Sequence, residues 1–148
     1  MSVGLDARVA LLHKVWLFDA CTEDELAHIA GLVHPRTVEK GTAVITEGEA
    51  GSEFFVIVTG TATATTGGDK LEDLAAGGFF GEICLLDGGE RLATVTATST
   101  LDLLVLDRHD FNEMLEAAMP EVTPKLLQVV GERMRALAQH DGKPVIGF

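Results

Sequence analysis

Cysteine occurs only twice in this sequence, at Cys21 and Cys84, far apart and without the paired spacing of a metal site. That excludes a disulfide-stapled scaffold and leaves two reduced thiols, as expected of a cytoplasmic protein. No apolar run approaches the ~20 residues that a membrane span requires. The N-terminal stretch carries Asp6, Arg8 and Lys14 among its apolar residues, which does not suit a signal peptide. Positive charge is scarce: 11 Lys and Arg stand against 23 Asp and Glu, a net charge of −12. Such a balance works against DNA, RNA or an anionic membrane surface as partner.

Catalytic signatures are equally scarce. The five histidines (His13, His28, His34, His109, His140) are scattered, with no His-x-His pair. A cupin-like metal enzyme would need such a cluster from neighbouring strands. There is no Gly-x-Ser-x-Gly elbow and no Gly-Lys-Ser phosphate loop, and Thr94 and Ser99 have no evident base. No enzymatic activity, catalytic residue, metal or cofactor is therefore expected. A DNA-binding activator is not expected either, because nothing after residue 140 can form a helix-turn-helix.

What is present is a globular chain of 148 residues, 47% hydrophobic, long enough to bury one proper core. The N-terminal segment reads as helical. Val9, Leu11, Leu12, Val15, Trp16, Leu17 and Phe18 form an apolar patch, taken as core. Thr22 and Glu25 then spell a capping box, Leu26, Ile29, Ala30 and Val33 repeat at helical spacing, and Pro35 stops the run. From Thr37 onward the pattern changes to short strands: 37–39, 43–45, 54–58, 62–65, 93–98 and 103–106, rich in β-branched and aromatic residues. Gly67-Gly68-Asp69 reads as a hairpin tip, and the regular spacing predicts a barrel or jelly-roll-like sandwich. Helix returns after Leu106, first with Phe111, Met114, Leu115 and Ala118. A last helix follows, with Thr123 as N-cap, Pro124 at the first position, and a stripe of Leu127, Val130, Met134 and Leu137. That stripe fits plain packing, a lid over a ligand, or a homodimer seam.

One stretch interrupts the strands. Gly77-Gly78-Phe79-Phe80-Gly81 leads into Glu82-Ile83-Cys84-Leu85-Leu86, enough for a single helical turn whose first amides have no intrahelical partners and suit an anion. Arg91 follows, the only basic side chain between Lys70 and Arg108. Arg91 and the amides would take one phosphate, and the acceptor-only Glu82 a sugar hydroxyl, features that coincide in a cyclic nucleotide. Spacing alone equally allows a glycine-rich hairpin with a solvated Glu82 and an Arg91 paired to a neighbouring acid.

The string FGEICLL…ERLATVTA resembles the phosphate-binding cassette of the cyclic nucleotide-binding domain family, which includes bacterial catabolite activators, protein kinase A regulatory subunits and cyclic nucleotide-gated channels. Lys40-Gly41, Glu47-Gly48, Gly60 and Gly77-Gly78 also fit the family's glycine pattern. Glu90 stands where many members have proline, and Cys84 where alanine or glycine is usual. The resemblance implies a mainly β fold, a jelly-roll-like β-barrel (double-stranded β-helix) with N-terminal helices and a C-terminal helical lid. Residues 1–148 would form a single domain: helical segment 1–35, β-roll 36–106 with its cassette at 77–97, helices 107–140, and a tail at 141–148. That tail would serve for docking or be the stump of a longer protein. The implied site is Phe80, Gly81, Glu82, Ile83, Cys84, Leu85, Arg91, Leu92, Ala93 and Thr94. Members preferring cGMP often carry threonine after the arginine, so Leu92 implies cAMP, with cGMP second. The expected function is a cyclic nucleotide-binding sensor whose C-terminal helix moves on binding. Its partner would be a second copy through that helix or another protein. The alternative is a scaffold or dimerisation domain of the same fold that binds no ligand.

Overall fold

Helix and strand follow one another largely as the periodicities predict in a computed structural model that describes residues 3–138. The apolar N-terminal segment folds as α1 (Leu5–Leu12), a 3-10 turn (Trp16–Phe18) and α2 (Glu23–Ala30). The Thr22–Glu25 pattern closes as a capping box. Thr22 N donates to Glu25 Oε1 at 2.8 Å, and Glu25 N donates to Thr22 Oγ1 at 3.2 Å.

Eight strands then follow: β1 (His34–Val38), β2 (Ala43–Ile45), β3 (Glu53–Thr59), β4 (Ala62–Thr66), β5 (Asp69–Leu74), β6 (Phe79–Phe80), β7 (Thr94–Ala97) and β8 (Leu101–Asp107). Between β6 and β7 lies the short helix α3 (Glu82–Asp87). The strands form two antiparallel four-stranded sheets, in the orders β1-β8-β3-β6 and β2-β7-β4-β5. This is the expected roll with flanking helices, and its hydrogen bonding leaves two open sheets where a closed barrel would have one. Ile45, Phe55, Ile57, Phe80, Val95, Leu103 and Val105 belong to one buried cluster within it.

Three strands differ from the sequence pattern, one of them the two-residue β6, which lies in the glycine-rich lead to the helical turn where no strand was expected. β1 begins before Pro35, which is tolerated because β1 is an edge strand and the missing N–H need not serve the ladder. β5 carries no apolar alternation, yet it pairs with β4, and all of its residues except Leu74 are exposed. It too is an edge, where charged side chains discourage further pairing.

The described residues divide into two compact units, one of residues 33–108 and one built from residues 3–32 together with the chain after Arg108. In the second unit, α4 (Arg108–Ala117), all but its first residue, and α5 (Val122–Ala138) complete the helices. Phe18 meets Phe111 edge-on at 6.2 Å, and Lys125 Nζ pairs with the buried Glu25 at 2.6 Å. α5 starts at Val122, one residue before the expected cap at Thr123. Its buried stripe is Val122, Leu126 and Val129, whereas Leu127 is 67% exposed. The doublets Leu126-Leu127 and Val129-Val130 offer two helical registers, and packing selects the one the apolar spacing did not. The side chains of Met134 and Leu137 and the tail at 141–148 lie outside the described residues.

Candidate functional site

The cassette begins where β6 hands over to α3. Phe80 is fully buried and stacks on Phe55, with ring centroids 4.9 Å apart. Gly81 then turns the chain with φ of +86°, a left-handed angle that a side chain would resist, and so serves as the cap of α3. Because α3 starts there, its first amides stand outside the i→i−4 ladder. The helix places Glu82, Cys84 and Leu85 inward, all essentially inaccessible, and leaves Ile83 half-buried. Gly88, again left-handed, ends the turn by donating its N–H to Cys84 O at 2.8 Å. The Cys84 thiol lies 3.5 Å from Gly89 O. Burial pushes its pKa up, against a smaller opposing pull from Arg91, so it is held as a neutral thiol.

Arg91 is fixed through its backbone by the loop between β2 and β3. Its N–H donates to Glu49 O at 2.8 Å and its carbonyl accepts from Gly48 N at 2.9 Å. Gly51 N donates to Gly89 O at 2.9 Å, and Ala50 bridges Glu90. The exposed Glu90 is thus tied by its backbone, with its carboxylate in solvent. The Arg91 side chain turns inward to 6% exposure, with Cζ 5.7 Å from the centroid of the Phe55 ring. Its Nη1 is buried and makes no hydrogen bond among the described residues. A buried guanidinium N–H left this way is costly unless something arrives to accept from it.

After Arg91 the chain alternates. Leu92 is 55% exposed, Ala93 is fully buried, and Thr94 is half-buried, its Oγ1 accepting from Glu47 N at 3.0 Å. All ten residues singled out from sequence therefore lie on one continuous turn from β6 to β7. The supports from outside that turn are Phe55, Gly51 and the 48–49 backbone. Gly48 carries a signal only as part of the family's glycine pattern, and nothing in the local pattern links position 51 or 55 to Arg91.

The cyclic nucleotide-binding domain family matches residues 35–118 of the chain. A cyclic nucleotide-gated potassium channel from Rhizobium etli is 36% identical over 123 residues, 83% of this chain and 34% of the channel. A cAMP-dependent protein kinase regulatory subunit from Yarrowia lipolytica is 40% identical over 89 residues, 59% of this chain and 24% of the subunit. The chain thus spans about a third or less of the length of these curated relatives. Among solved structures, the N-terminal domain of a transcriptional regulator from Streptomyces coelicolor A3(2) superposes with a TM-score of 0.78. It shares 27% identity and covers 90% of this chain and 96% of its own. With the family matched over more than half its length and the two-sheet roll in place, this chain belongs to the cyclic nucleotide-binding domain family.

Proposed function

We propose that the chain is a regulatory, non-catalytic module that binds cAMP in preference to cGMP and transmits occupancy through α5. The observation that carries this reading is Arg91: a buried cation whose Nη1 has no acceptor among the described residues, beside the start of α3. A cyclic phosphate would accept from Arg91 and from the first-turn amides, and the ribose 2′-hydroxyl would donate to Glu82. Phe80, Gly81, Ile83, Cys84, Leu85, Ala93 and Thr94 would shape the pocket. Leu92 offers no hydroxyl to a guanine amino group, which supports adenine. Calorimetric titration with cAMP and cGMP tests the reading. Saturable binding, tighter for cAMP, is the expected result, and no binding of either ligand at millimolar concentration would leave only a scaffold.

For the transmission step, α5 offers an apolar side chain that its own packing does not use, the exposed Leu127. The ligand must contact the closed arrangement better than the open one, since equal affinity shifts no population. Hydrogen exchange of the α5 amides, with and without saturating cAMP, should show added protection. Unchanged protection would favour the second reading that the exposed Leu127 fits, a seam between two copies. No helix among the described residues is long and apolar enough to cross a membrane, and we place the module in the cytoplasm.

A further inference from the structure

We infer that Gly51 is a positioning residue for Arg91: the side chain missing at position 51 is the space in which the guanidinium lies. The inference rests on the reading of Arg91 as the phosphate-binding group. A Cβ built on Gly51 would sit 2.2 Å from Arg91 Nε, 2.4 Å from Cζ and 2.8 Å from Cδ. Its three nearest neighbours are thus all atoms of one side chain. The backbone of Gly51 does not take a left-handed angle, and its N–H bond to Gly89 O is one that any residue but proline can make. The requirement for glycine therefore comes from Arg91 and not from the turn.

Neighbouring glycines differ. Gly81 holds a φ of +86°, and a Cβ there would strike the Glu53 carbonyl oxygen at 2.9 Å as well as Arg91 Nη1 at 2.8 Å, so substituting it disturbs the backbone too. Gly48 has open space around it. Position 51 is where the nearest atoms an added methyl group would meet all belong to the arginine. Gly81 lies on the Nη1 side and the Phe55 ring faces Cζ, so the guanidinium yields most readily outward. That movement takes Nη1 away from α3.

A double-mutant cycle of wild type, Gly51→Ala, Arg91→Ala and the double variant tests this, with two readouts. In cAMP titrations, Gly51→Ala should weaken binding about 10- to 100-fold, the equivalent of losing one charged hydrogen bond. The double variant should bind no more weakly than Arg91→Ala alone. In ligand-free denaturant unfolding, Gly51→Ala should lower the midpoint when Arg91 is present and leave it unchanged when Arg91 is alanine. If wild type binds no cyclic nucleotide, the functional reading falls while the unfolding cycle still decides the cradle. If Gly51→Ala does not fold but the double variant does, the inference stands. Equal losses in both backgrounds, failure of both variants to fold, or no effect of Gly51→Ala on either readout would overturn it.

Discussion

Two arginines approach the ring of Phe55 at nearly the same distance, Arg36 at 5.8 Å and Arg91 at 5.7 Å, and their surroundings differ. On the β1 side, Arg36 sends both ends of its fork to Glu53, at 2.7 and 3.2 Å, and its side chain remains 38% exposed. On the cassette side, Arg91 is buried with Nη1 unfilled. A charge that only braces strands is paired within the chain and wetted by solvent. A charge kept dry with an open donor destabilises the folded protein on its own, and such a group gains an acceptor when an anion binds. On the reading proposed above, the contrast marks a ligand-directed arginine more clearly than its residue type does.

The largest test of that contrast exchanges the two residues' fates. Arg91→Ala should weaken cAMP binding by roughly 2–5 kcal/mol, as loss of a desolvated charge contact does, with no fall in the unfolding midpoint. Arg36→Ala should leave affinity unchanged. Equal affinity losses from the two variants, measured by calorimetry, would erase the distinction.

A smaller effect is expected at the other buried charge of the cassette. If Glu82 accepts from the ribose, 2′-deoxy-cAMP should bind about 1.5–3 kcal/mol more weakly than cAMP, and Glu82→Gln should shrink that gap. Competition titration of the two ligands against both proteins measures it, and an equal affinity in wild type would remove Glu82 from the site.

The Glu25–Lys125 pair extends the comparison to a charge used internally by the helical unit. The Lys125 hydrogen bond, helped by the Thr22 amide, holds the Glu25 carboxyl below its usual value, and Glu25 in turn raises Lys125. The depressed Glu25 gives stability that is full above its unfolded pKa, near 4.5, and lost as pH falls through the lower folded value. The raised Lys125 gives stability that is full below its unfolded pKa, near 10.5, and lost as pH rises through the higher folded value. Lys125→Met should therefore flatten the acid limb of midpoint against pH below about 4.5. The smallest effect belongs to Arg36→Ala, whose half-exposed pair should contribute only ~0–1 kcal/mol to stability in denaturant titration.

How far the sequence could be read depended on whether the signal was local. Thr22 and Glu25 stand three residues apart, and the capping box they form needs nothing else. The helical turn at Glu82 is framed by Gly81 and Gly88, both visible in the string and both left-handed in the fold. β5 escaped because an edge strand need not alternate when it faces water on both sides. The packed face of α5 is not legible because adjacent apolar doublets fit two registers, and only packing chooses between them. Gly51 and Phe55 escaped for a stricter reason: they meet Arg91 across the β2–β3 loop and β3, and no periodicity records such a meeting.

The bonding of Gly48, Glu49 and Gly51 to Gly89 and Arg91 also bears on the order of assembly. Partners about 40 residues apart must be brought together before Arg91 has a cradle, so the loop-closure entropy of β3 to β6 is spent first. A synthetic peptide of residues 77–97 would carry every cassette side chain and yet hold its arginine in water. The cradle of Arg91 is in this sense a late product of folding, and on the reading proposed above, ligand capture by a nascent or proteolysed chain would report that the β2–β3 loop had met the cassette.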